Sequence, residues 1–323
     1  MDNKTIYKKT LGFSIRRLAW DVFSFFVVGL MTAGGFFLAD NFWNTGLIGL
    51  VIGAIIGIII VAIISRYISY TYKAGQIAMM TKAIAEDKLP DDVIGAGKKI
   101  VKERFTTVAA YFAVTSVIKG IFRQLGRGIS AVGEAIGGDA GGTVGSTISA
   151  VIDTIVAYLC DCCLGWVFYR ENEKATKATL EGAVLFFKHG KTLLKNLGRV
   201  FGISIISFLA IGGVFFGISY LIMSAFPDLF RELSNAIIET AGSDAPAWVS
   251  DVNTLTLVCA GIIGVVFWSI LHSTFVRPFI LVGVLRNYIN SGKDDVPSEK
   301  SFAELDEKSD KFKKLHNELE AKA

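Results

Sequence analysis

Charged residues are scarce in this 323-residue chain. Asp, Glu, Lys and Arg make up 19% of it and hydrophobic residues 52%, where soluble domains run to about 25% charged. This excludes disorder over most of the length, since disorder needs low hydrophobicity and high charge, and it argues against a soluble enzyme. Histidine is scarcer still: His189, His272 and His316 are all there are. The four cysteines, Cys160, Cys162, Cys163 and Cys259, lie in apolar segments, so no extracellular disulfide framework is expected. Positions 160, 162 and 163 cannot all face one point on a helix, and no histidine nearby completes a set, so neither metal nor cofactor is expected. The phosphate loop G-x-x-x-x-G-K-[ST], the zinc motif H-E-x-x-H and the nucleophile motif G-x-S-x-G are absent, and no enzymatic activity is expected. Near the N-terminus, no short apolar core ends at an A-x-A-like site, so the first apolar stretch is expected to stay in the protein.

Long apolar runs are what the chain has instead. Residues 46–65 (GLIGLVIGAIIGIIIVAIIS) contain no charge, and about 20 such residues cross a bilayer as a helix. The pattern predicts an all-α, polytopic helical bundle of six spans near 21–39, 46–65, 105–122, 147–168, 200–226 and 254–276. It also predicts three regions: a basic interfacial segment at 1–20, a membrane domain at 21–276, and an amphipathic helical tail at 277–323. In the tail, Ser301 and Glu304 have capping-box spacing, and Leu305, Phe312, Leu315 and Leu319 form a stripe. That tail either lies on the protein's own inner surface or docks a partner through a short coiled coil.

Of the 33 basic residues, 29 fall in the N-terminal segment, 66–104, 169–199 and 277–323. Lys and Arg stay on the cytoplasmic side of a membrane, which predicts both termini on the inner face. The same rule holds at an organellar inner face, so plasma and organellar membranes are not distinguished. Lys119, Arg123, Arg127 and Arg231 lie elsewhere. The basic loops are explained by topology, so the partner expected is the lipid bilayer and not a nucleic acid.

Glycine recurs every fourth residue at Gly49, Gly53 and Gly57, at Gly133, Gly137, Gly141 and Gly145, and at Gly213 and Gly217. That spacing puts small residues on one helix face and lets backbones approach. Helix packing is one reading, and self-association into a homo-oligomer or a close-packed pore is the other. The segment 126–146 reads as an external loop or a re-entrant, broken helix.

Ionisable groups at membrane depth mark candidate sites. Lys119 and Asp153 lie at matching depths on the third and fourth expected spans and are expected to form a structural ion pair. Asp161 lies about two turns inside the fourth span, with no basic residue adjacent in sequence. Trp268 and His272 share a helix face by i, i+4 spacing. Asp161, Trp268, Tyr111 and His272 are therefore candidate substrate-binding residues: a carboxylate and aromatic faces suit a small organic cation, and a carboxylate with a histidine suits proton relay. A polar cluster that fixes helix packing is the alternative.

The run from Cys160 to Val200 (CDCCLGWVFYRENEKATKATLEGAVLFFKHGKTLLKNLGRV) resembles the choline transporter-like family, in which a cysteine-rich span leads into a basic amphipathic segment and then another span. Residues 273–295 (STFVRPFILVGVLRNYINSGKDD) are similar to that family's last span and its charged exit. The resemblance implies transport of choline or ethanolamine. Unlike that family, this chain has no large external loop after its first span, and it has fewer spans. The function expected first is secondary transport of a small, choline-like solute. The alternatives are a structural or accessory subunit of a larger membrane complex, and a channel.

Overall fold

A computed structural model describes residues 1–137, 143–195, 197–242 and 245–321; at 47, 69, 125–137, 143–155, 190–195, 197–201, 241 and 299 it describes the backbone alone. Among the described residues every regular element is helical. The chain divides into two compact units, one of residues 1–197 and 278–323, the other of residues 198–277.

The first unit begins with a long hairpin. Helix α1 (Asn3–Trp43) starts at Asp2, whose carboxylate accepts the Thr5 N–H at 2.9 Å, satisfying one of the orphan donors of a first turn. It ends at Asn44, which takes the left-handed conformation (φ 51°) that asparagine tolerates. α1 is unbroken, so the basic stretch at 1–20 and the first expected span belong to one helix, a rod about 60 Å long at 1.5 Å per residue. Helix α2 (Gly46–Ile68) returns against it. Gly49 lies against Gly35 and Ala39, and Gly53 against the Met31 carbonyl, so closely that a Cβ at either position would strike them. These two glycines are absorbed by packing within the hairpin.

α2 passes through a π-helical turn (Ser69–Lys73) into α3 (Ala74–Glu86). The character of the chain changes there. On the hairpin Leu30 is 73% exposed and Ile63 64%, whereas Met79 and Met80 of α3 are fully buried. α3 is enclosed by α1, α4 (Val93–Arg104) and α6 (Thr143–Tyr169). Phe13 of α1 inserts where Gly75 and Gly97 leave room; a Cβ on Gly75 would come within 2.8 Å of its ring. Helices α5 (Val108–Gly137), α6 and α7 (Ala175–Lys195) follow. With α12 (Arg277–Asp294) they close a core in which Tyr158, Trp166, Leu285 and Tyr288 are buried.

The tail forms two helices, α13 (Glu299–Asp306) and α14 (Asp310–Glu320). α13 starts after Ser298, three residues before the expected capping box. α14 is capped by Ser309, whose hydroxyl accepts the Phe312 N–H and donates to Gln124 on α5. Phe302, Leu305, Phe312 and Leu315 pack on Ile121 of α5 and on Leu180 and Val184 of α7. Of the two readings of the tail, the structure has it lying on the protein's own surface.

The second unit contains α8 (Leu197–Ser207), a π-helical turn (Phe208–Gly212), α9 (Gly213–Ser224), α10 (Pro227–Ala241), a short 3-10 turn (Ala247–Val249), α11 (Val252–Leu271) and a second π-helical turn (His272–Val276). α9 and α11 lie side by side. Their close approach is at Gly264, where a Cβ would lie 2.9 Å from the Gly212 carbonyl, whereas Gly213 and Gly217 face open space.

Four helices among the described residues are long and apolar enough to cross a bilayer: Asn3–Trp43, Ile48–Glu86, Gly202–Ser224 and Val252–Asp294. They coincide with the first, second, fifth and sixth expected spans. The third and fourth expected spans fall on α5 and α6, whose side chains are described only up to Gln124 and from Val156 onward. Within those limits, α4 and α5 pass as a pair bent by 79°, and α6 contributes the apolar stretch Val156–Tyr169.

Candidate functional site

The buried polar groups of the first unit gather beneath the hairpin. Asp161 of α6 is 4% exposed, and its Oδ1 lies 2.7 Å from Nζ of Lys73, the last residue of the π-helical turn after α2. A π-helical turn advances the chain by one extra residue against the α-helical register. Here it separates the exposed part of the rod from α3 and ends on this lysine. The carboxylate that looked isolated in sequence is therefore neutralised by an amine 88 positions away. Lys73 appeared in the sequence only as one of the loop cations that set topology.

Tyr111 of α5, 4% exposed, belongs to the same cluster. Asp161 and Arg17 of α1 both act electrostatically on its hydroxyl. Its ring meets Tyr70 and Phe105 edge-on at 5.4 and 5.5 Å, and Phe105 meets Phe168 at 5.8 Å. The Tyr70 hydroxyl donates to the Phe105 carbonyl at 3.0 Å. The buried carboxylate is already within contact distance of an ammonium, and Tyr70, Tyr111, Phe105 and Phe168 pack on one another edge to face.

A second buried carboxylate lies on α7 of the same unit. Glu181, 1% exposed, accepts from Trp166 Nε1 at 3.1 Å and from Arg170 Nε at 2.9 Å. Arg104 reaches the loop after α6 and donates to the carbonyls of Arg170, Glu171 and Glu173. Neither role has a local signal, because each pairs residues on different helices. At the surface, Lys177 holds the Glu173 carboxyl below its ordinary value, with Arg170 and Arg104 adding to the effect. Lys188 and then His189 do the same for Asp295.

Trp268 and His272 lie in the second unit. Their rings are 5.2 Å apart, in accord with the i, i+4 spacing. The Trp268 indole donates to Ser207 Oγ at 3.2 Å, and His272 Nε2 lies 3.1 Å from Ser204 Oγ. Two hydroxyls, an indole and an imidazole thus form one line between α8 and α11. The four candidate substrate residues therefore belong to two clusters, each with its own partners.

The expected Lys119–Asp153 pair falls partly outside the described residues: Lys119 is exposed, and the side chain at 153 is not described. Gly133, Gly137, Gly141 and Gly145 lie in the stretch described by backbone alone or not at all. Among the described residues no group of histidines, cysteines and carboxylates could hold a metal ion. No family model matches this chain, and neither a curated protein nor a solved structure matches it.

Proposed function

We propose that this chain is a four-span membrane protein with both termini on the inner face, serving as a non-catalytic scaffold or accessory subunit of a membrane assembly. The spans are the apolar parts of α1, α2, α8–α9 and α11. The docking of α14 along Ile121 and Gln124 supports keeping α5 on the same side as the tail. Lys119, Arg123 and Arg127 then join the other inner basic residues and leave Arg231 alone on the outer side, as the retention of cations inside requires.

The Lys73–Asp161 pair carries the functional reading. The carboxylate that transport would offer to a cationic solute is nine-tenths buried and already neutralised within the protein. A buried pair of this kind fixes how helices meet. Secondary transport of a small, choline-like cation is the second reading. It is favoured by the Trp268–His272–Ser204–Ser207 line between apolar helices and by the family resemblance.

Two measurements test these readings. Lys119→Cys should react with an impermeant thiol reagent only from the inner side; reaction from outside restores the six-span arrangement. Proteoliposomes of the purified chain should take up none of a panel of labelled amines. Uptake abolished by Asp161→Asn in a folded variant overturns the scaffold reading in favour of transport.

A further inference from the structure

The connection between α9 and α11 contains α10, whose sides differ in an unusual order. Phe230 and Ser234 face inward, 6% and 3% exposed, and the Ser234 hydroxyl donates to the Val249 carbonyl at 2.7 Å. About 100° per residue around the helix, Leu229 and Leu233 form a second apolar stripe that the protein leaves uncovered, 61% and 40% exposed. The side beyond that stripe is acidic, with Glu232 and Glu239, and with Asp228 paired to Arg231 at 3.1 Å. The uncovered stripe therefore lies between the buried side and the acidic side. A helix of this kind fits edge-on into a boundary between hydrocarbon and water.

We propose that α10 is an interfacial helix that rests in the outer leaflet at the headgroup–acyl boundary and fixes the depth of the α9–α11 hairpin. This rests on the four-span reading above. Three observations name a lipid surface as the occupant. The exposed apolar side of α9, at Leu221 and Ile222, continues into Phe226 and then Leu229. Pro227 starts α10 directly after α9 ends, with two residues between them. Trp248, on the 3-10 turn that anchors α10, is 43% exposed, and tryptophan concentrates at that boundary. The acidic side gives no attraction to anionic headgroups, so the contact is made by apolar area alone and needs no particular headgroup charge.

The test compares single cysteines in right-side-out vesicles treated with an impermeant maleimide, with the wild-type chain giving the background from its own thiols. Leu229→Cys and Leu233→Cys should react on the order of tenfold more slowly than Glu232→Cys and Glu239→Cys, the protection of a side chain seated in hydrocarbon. Lipids spin-labelled near the headgroup should quench Trp248, read as the difference between wild type and Trp248→Phe. Both results should be the same in zwitterionic and anionic vesicles. Equal rates at all four positions overturn the proposal, as does protection seen only in anionic vesicles. Protected leucine positions without quenching of Trp248 also overturn it, in favour of a protein partner or second copy on the stripe. Lys119→Cys serves as the topology marker: if it reacts from the same side as Glu232→Cys, the four-span reading has failed. If it reacts from the opposite side, a failure belongs to this proposal alone.

Discussion

Replacing either member of the Lys73–Asp161 pair tests most directly what the first unit is built for. The two side chains lie 2.7 Å apart and differ in exposure, 28% for Lys73 and 5% for Asp161. Removing one partner of a buried pair costs about 3–5 kcal/mol, because a charge is left in a poorly polarisable interior. Lys73→Met takes the ammonium from a carboxylate that has almost no access to water, so it should fall at the upper end of that range. Asp161→Asn leaves an amine on a flexible stem that can turn toward water, so it should fall at the lower end or below it. The double variant should be less destabilised than the two losses together, with a coupling above about 1 kcal/mol. The assay is denaturant unfolding in mixed micelles, followed by tryptophan fluorescence, for wild type, both single variants and the double. Losses that add to within about 0.5 kcal/mol would show that the residues do not meet. An Asp161→Asn variant more damaged than Lys73→Met would refute the argument from exposure.

Gly53→Val should destabilise the α1–α2 hairpin by at least the ~1–3 kcal/mol of an overpacked core, since its Cβ meets the Met31 carbonyl, whereas Gly217→Val, in open space, should leave the unfolding midpoint unchanged. Phe312→Ala empties a fully buried site between the tail and α7 and should cost about 3–5 kcal/mol; limited proteolysis should then cut the tail near Lys308 and Lys313 faster than in wild type. Asp295 is held below its ordinary carboxyl value of 3.8 by Lys188. Its stabilisation is therefore complete above that value and is lost as pH falls through the lower folded value. Unfolding midpoints of wild type and Asp295→Asn should differ slightly at neutral pH, less in high salt, and converge at the acid end.

Helicity and the long apolar runs were legible in the sequence because they are local. A charge-free run at 46–65 has one way to satisfy its backbone in hydrocarbon, and a 3.6-residue period is visible without tertiary contacts. Trp268 and His272 were legible as neighbours for the same reason, since i, i+4 spacing on one helix is a local relation. Where the sequence was ambiguous, apolarity had two meanings. Residues 156–168 are as apolar as a span, and most of their side chains are buried within the protein, so composition alone does not tell enclosure by protein from enclosure by lipid. The N-terminal basic residues read as a segment because charge changes near residue 20, and the tertiary structure adds that helix α1 runs through that point without a break.

Sequence by itself determined that the chain is helical, rich in membrane-length apolar helices, and asymmetric in basic charge. Tertiary structure decided what each polar group is for. Asp161 lacks a basic neighbour along the chain, and Lys73 looks like a topology signal, until the turn after α2 brings them together. Glu181 gives no local sign of being buried until Trp166 and Arg170 are placed on it. Gly49 and Gly217 follow the same spacing rule, yet one faces a backbone and the other faces nothing. The physical reason is common to all three. The cost of burying a charge, and the benefit of a missing Cβ, depend on what lies within a few ångströms, and residues far apart in the chain occupy that space.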